Sequence, residues 1–96
     1  MNNRTGDLEF GKVVVGKEVR CVIAPDMAIW KKLFPLQAWI MPEVGTIYIL
    51  RSNVIVPIEG SNIKEILLKG IQNVQVNHRG ISAEPCFPCN AFCSRQ

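Results

Sequence analysis

Nowhere in the 96 residues does an apolar run approach the length of about 18 that a membrane-crossing helix needs. The opening residues (Met1-Asn2-Asn3-Arg4-Thr5-Gly6-Asp7) are polar and have no apolar stretch behind them, which speaks against a secretory signal peptide. A cytoplasmic location is therefore the default expectation, and there free thiols or metal ligation are favoured over disulfides. Charge of one sign is also scarce. The net charge is +3 and the basic residues are scattered, so the chain lacks the clustered footprint of a nucleic-acid binder. It holds a single histidine, His78, and no serine or cysteine stands beside it in a nucleophile motif. Repeats, low-complexity tracts and a linker that would split the chain are all missing. A dedicated catalytic constellation is not legible, and the chain is expected not to be an enzyme.

What is present is a globular composition: 48% hydrophobic and 20% charged residues, with β-branched aliphatics dominating the apolar set. One small core is expected, and association into a homodimer would help a chain of this size hide apolar surface. Residues 8–15 and 18–24 read as two strands joined by a tight turn at Gly16-Lys17, whose first residue needs positive φ. Asp26 can cap a short helix carrying Ile29, Trp30, Leu33 and Phe34, stopped by Pro35. Residues 36–44 form an irregular connection, and 45–51 are the clearest strand. Residues 53–58 either continue that strand or turn back beside it, with Pro57 confined to an edge. Glu59-Gly60-Ser61-Asn62 is a turn. Residues 63–71 suit either a helix face or a strand. Val74 and Val76 lie in a short extended piece, His78-Arg79-Gly80 turns, and 87–92 close the sheet. These short strands describe an all-β domain, a strongly bent antiparallel sheet or partly open barrel with one short helix or helical loop.

The chain resembles a family of short, mostly uncharacterised proteins encoded by bacteriophages and prophages. The resemblance rests on residues 19–23 around Cys21, then Pro42, Gly45, Tyr48 and Arg51, then Leu67-Leu68-Lys69-Gly70-Ile71-Gln72-Asn73, and last Glu84, Pro85, Phe87 and Phe92. It covers roughly residues 17–95. It implies an SH3-like barrel over 17–96, with 1–16 an N-terminal extension packed on it, and it favours a strand for 63–71. The family carries acidic residues where this chain has Lys69 and Gly70, and arginines where it has Ala91 and Cys93. The resemblance implies a phage setting and supplies no activity.

Three groups of residues could carry function. Cys86, Cys89 and Cys93 place three thiols within eight residues, and His78 or Cys21 could complete a tetrahedral zinc site. If 86–93 is one strand, however, Cys86 points to the opposite face from Cys89 and Cys93, and free thiols are then the simpler outcome. Tyr48 and Arg51 either line a groove for a phosphate or peptide, or do structural work: Tyr48 bonding a loop and Arg51 pairing with an acidic neighbour. Trp30, Phe34 and Trp39, with Lys31 and Lys32 alongside, either display a partner surface or cap an open barrel end.

Three functions follow. The first expected is a non-catalytic, phage- or prophage-encoded module that binds a host or phage protein, for instance a defence component, through Trp30, Lys31, Lys32, Phe34, Trp39, Tyr48 and Arg51. The second is a sponge-like binder of a nucleotide or nucleic acid, using Lys31, Lys32, Arg51 or Arg79. The third is a small zinc protein built on the cysteines. No membrane partner and no cofactor are expected, zinc being the one candidate.

Overall fold

The structure, a computed structural model, describes residues 6–58, 60–78 and 80–94, with the side chains of His78 and Ile81 outside that description. It is mainly β with one α-helix, and the antiparallel sheets do not close into a barrel. The described strands are β1 (Glu18–Cys21), β2 (Ile47–Ile58), β3 (Ser61–Leu68), β4 (Val76–His78), β5 (Ile81–Ala83), β6 (Phe87–Pro88) and β7 (Phe92–Ser94), and the helix is α1 (Ala28–Leu33). Five strands form one sheet in the order β6-β3-β2-β1-β7, and β4 and β5 pair separately as a hairpin. Among the described residues no helix is long and apolar enough to cross a membrane.

The sheet is strongly curled, as chain connectivity demands. Its two edge strands, β6 and β7, are joined by a 3-10 turn of only three residues, Cys89–Ala91. Four Cα steps span at most about 15 Å, whereas four inter-strand spacings in a flat sheet would separate the edges by about 19 Å. The edges therefore bend toward each other around one side of the sheet. That side buries Val19, Cys21, Leu50, Ile66, Leu68, Phe87 and Phe92, each no more than 1% exposed.

β2 and β3 form a long hairpin that closes where Ile58 pairs with Ser61, and it holds the main irregularity of the fold. Leu50 pairs with Leu68 but Ser52 pairs with Leu67, so Arg51 is the extra residue of a β-bulge. The bulge exchanges the two faces of β2. Before it, Leu50 faces the interior of the curl with Leu68; beyond it, Val54, Val56 and Ile58 share the opposite face with Leu67. That second face is covered by Trp30, Leu33 and Phe34 from α1 and its end, and by Val76 and Ala83 from the β4–β5 hairpin. Ile55, which pairs with Lys64, falls on the other face, the one that carries Ile66, and stands 55% exposed.

Several expectations hold. Residues 53–58 continue β2 rather than turning back, and 63–68 are strand. Gly16 turns with φ +94°, as the turn before β1 requires.

Others need correction. Residues 8–15 do not form a strand: Phe10–Lys12 make a 3-10 turn, and Val14 and Val15 stand exposed. β1 already has β2 on one side and β7 on the other, so no edge is left for that segment to pair with. Residues 6–8 instead run along the chain's end, with Leu8 N donating to Phe92 O and Ser94 N donating to Asp7 Oδ1. A Cβ on Gly6 would fall inside the Phe92 backbone, so this close approach requires glycine. Residues 86–93 are likewise not one strand, being broken by the 3-10 turn between β6 and β7. Val74, expected in an extended piece, precedes β4 and is exposed. Met27, not Asp26, is the N-cap of α1 and makes no side-chain cap bond, although Asp26 Oδ1 one residue earlier accepts from the Ala28 N–H at 2.9 Å.

Candidate binding groove

The residues marked out by sequence separate into three places. Arg51 lies at the bulge, with its guanidinium aimed at the end of β3 and the segment before β6. Its Nε donates to Leu68 O at 3.1 Å, and its Nη2 donates to Ile71 O at 3.0 Å and to Glu84 Oε2 at 2.6 Å. The Glu84 side chain is only 9% exposed. Glu84 Oε2 also accepts from the Asn73 N–H, and the Asn73 amide clamps Ile40, accepting from its N–H at 2.6 Å and donating to its carbonyl at 3.1 Å. Arg51, Glu84 and Asn73 thus tie β2, the segment before β6 and the irregular connection into one network. Tyr48 stays structural as well: its hydroxyl accepts from the Glu43 N–H at 2.8 Å, bonding the connection that precedes β2.

The aromatic excursion is only partly displayed. Trp30 is 3% exposed and belongs to the core, and its Nε1 donates to Glu65 Oε1 at 3.3 Å. Phe34 and Trp39 are half-buried and meet edge to face, with ring centroids 6.5 Å apart at 88°. Lys31 and Lys32 point to solvent. What this region exposes is aliphatic: Leu36 is fully open, and Ile40 and Val44 are more than half exposed.

Cys21 and Cys86 are buried, Cys89 and Cys93 are half-buried, and all are free thiols. Among the described residues no three His, Cys, Asp or Glu side chains are placed to hold a metal, and the His78 side chain is outside the description. Burial pushes the Cys86 thiol well above its usual range, helped by the adjacent Glu65 carboxylate. Burial also raises Cys21 and Cys89, the latter with Glu65 contributing. This is the reverse of the electropositive setting that activates a thiol nucleophile. Glu65 is raised too, mainly by burial, against the opposing hydrogen bonds from Trp30 and Cys86.

Sequence reasoning reached one residue of a groove, Arg51, and missed the rest of its lining. A groove of about 350 Å³ runs along β2 and is walled on its far side by the β4–β5 hairpin. Arg51, Val54, Ile55, Val56, Pro57 and Leu67 line it from the long hairpin, and Gln75, Ser82, Ala83 and Glu84 line it from the other side. Its apolar floor comes from Val54, Val56 and Leu67. Among the described residues that line it, the two charges, Arg51 and Glu84, are paired with each other and leave no net charge. The available signal was Pro57, whose edge position marks the flank of β2 on which the groove opens. No known protein family matches this chain, and no match is found among curated proteins or solved structures.

Proposed function

We propose that this chain is a non-catalytic binding module whose partner is another protein. The observation that carries this reading is the groove itself: open, neutral, floored by aliphatic side chains and held in shape by the Arg51–Glu84 pair. Arg51 is committed to a carboxylate and two carbonyls, which favours a neutral protein surface over a phosphate as the occupant. The exposed aliphatic residues Leu36, Ile40 and Val44 offer further contact area on the same chain. The phage or prophage setting, with a host protein or defence component as the target, is part of the proposal. It is supported by the order of the short motifs around Cys21, Tyr48, Arg51, Asn73 and Glu84.

The test is quantitative affinity capture from a bacterial lysate with three baits: the native chain, Ile55→Lys in the groove, and Val14→Lys away from it. At least one protein should be enriched by the native chain and by Val14→Lys but reduced about tenfold with Ile55→Lys, as expected when a charge is set in an apolar contact. If every captured protein is indifferent to Ile55→Lys, the groove is not the binding surface.

A further inference from the structure

Beyond Leu50, the outer flank of β2 has no strand partner among the described residues. On that side β1 pairs only with Ile47, Tyr48 and Ile49, and the last bonds are those of Leu50 with Gly16 and Lys17. From Arg51 onward β2 has β3 on one side and the groove on the other. The direction of each backbone group follows from the hairpin. Ile58 pairs with Ser61 across two residues, so Ile58, Val56 and Val54 direct their N–H and C=O toward β3. Pro57, Ile55 and Asn53 therefore direct theirs outward. Pro57 is tolerated for that reason: the N–H it lacks would have pointed into the groove and not into the ladder.

Free edges invite strand addition, and natural sheets blunt them with bulges and prolines. β2 carries both devices, a bulge at Arg51 and the proline at position 57, and together they leave a short window centred on Ile55. Ser52 Oγ donates to Asn53 O, and Ile55 is more than half exposed. The far wall repeats the pattern. His78 pairs with Ile81 across two residues, which turns the backbone of Ser82 away from β4, and Ser82 lines the groove.

We propose that the groove accepts one extended peptide strand from a partner protein, which pairs antiparallel or parallel with the outer edge of β2 around Ile55 and fits between β2 and β5. The occupant is an uncharged segment with apolar side chains at alternate positions. The backbone edge supplies main-chain hydrogen bonds, and Val54, Val56 and Leu67 receive the inward side chains. The closed Arg51–Glu84 pair offers no unmatched charge, so a charged inward residue would be desolvated without a partner. This inference rests on the binding-module reading and specifies its mode.

The experiment uses the full chain and a displayed library of nine-residue peptides with apolar residues at alternate positions, followed by synthesis of the tightest binder. Methylating its backbone nitrogens one at a time should weaken binding about tenfold at every second position and little between. Ile55→Pro, which removes one outward N–H, should weaken the same peptide by about tenfold while thermal melting shows a folded protein. In the native chain, amide exchange at Ile55 should slow at least about tenfold on peptide binding, a readout independent of whether the variant folds. A library without binders, an N-methyl scan without period two, or unchanged exchange at Ile55 would each overturn strand addition. If the capture experiment still yields a partner sensitive to Ile55→Lys, the binding module stands and only its mode fails. A concentration-dependent dimer that Ile55→Pro dissolves would seat a second copy on this edge, and would also overturn the proposal.

Discussion

Arg51 is the extra residue of a bulge and the donor of three hydrogen bonds, one of them to a carboxylate whose side chain is 9% exposed. Among the described residues, removing it leaves Glu84 with the Asn73 N–H as its remaining donor and deprives the Leu68 and Ile71 carbonyls of this one. Breaking a buried pair costs about 3–5 kcal/mol, and the partial exposure of Arg51 lowers the expectation for Arg51→Ala to about 2 kcal/mol. For a chain of this size that corresponds to a loss of roughly 10 °C in Tm. Glu84→Gln keeps an acceptor for both donors and should cost less, about 1 kcal/mol. Urea denaturation of both variants checks the order. If Arg51→Ala costs no more than Glu84→Gln, the guanidinium is a surface ornament and the groove is shaped by something else. The structural roles considered for Tyr48 and Arg51 are the ones found, a hydroxyl on a loop N–H and a guanidinium on an acidic neighbour. Which acid could not be read, because Glu84 is 33 residues from Arg51 and is brought to it by tertiary packing, whereas the loop N–H on Tyr48 comes from Glu43, five residues upstream.

At the scale of elements, β2 shows what a period of two reveals and hides. Leu50, Val54, Val56 and Ile58 share one parity, which on an unbroken strand would place them on one face. The bulge keeps the parity and exchanges the faces, so the same alternation serves two separate cores. No residue type at Arg51 announces this. Val13, Val14 and Val15 mislead in the opposite way, since strand propensity needs an unpaired edge and β1 has none. The cysteine run has a metal-like spacing, and the 3-10 turn within it joins the two ends of a curled sheet. The irregular connection before β2 is tethered by Asn73, 6% exposed, through both backbone groups of Ile40. Asn73→Ala should cost about 2 kcal/mol, two hydrogen bonds at about 1 kcal/mol each. It should also accelerate amide exchange across 36–44 well before the sheet exchanges. Equal acceleration in β2 and β3 would mean that the clamp belongs to the global fold and not to the connection.

For the whole molecule, the buried acids set how stability changes with pH. Glu65, Cys21, Cys86 and Cys89 are all shifted upward, chiefly by burial, so in each case the folded chain holds a proton that the unfolded chain releases sooner. Stability must then fall as pH rises past the unfolded value of each group. For Glu65 the fall begins near 4.5 and ends once the folded carboxyl also ionises. For the thiols it begins near 9.0, and with Cys86 it continues far into the alkaline range. Glu65→Gln keeps an acceptor for Trp30 Nε1 and removes the ionisation. Its Tm should therefore exceed that of the native chain at pH 7, with the advantage shrinking toward zero near pH 4. Cys86→Ala should flatten the alkaline decline above pH 9 even if the lost sulfur lowers Tm throughout. Thermal melts of the three proteins from pH 4 to pH 10 separate these effects by slope. Should Glu65→Gln be destabilised equally at pH 4 and pH 7, the burial penalty on Glu65 would be offset within the fold, and its carboxyl would be held there by contacts that the amide cannot replace.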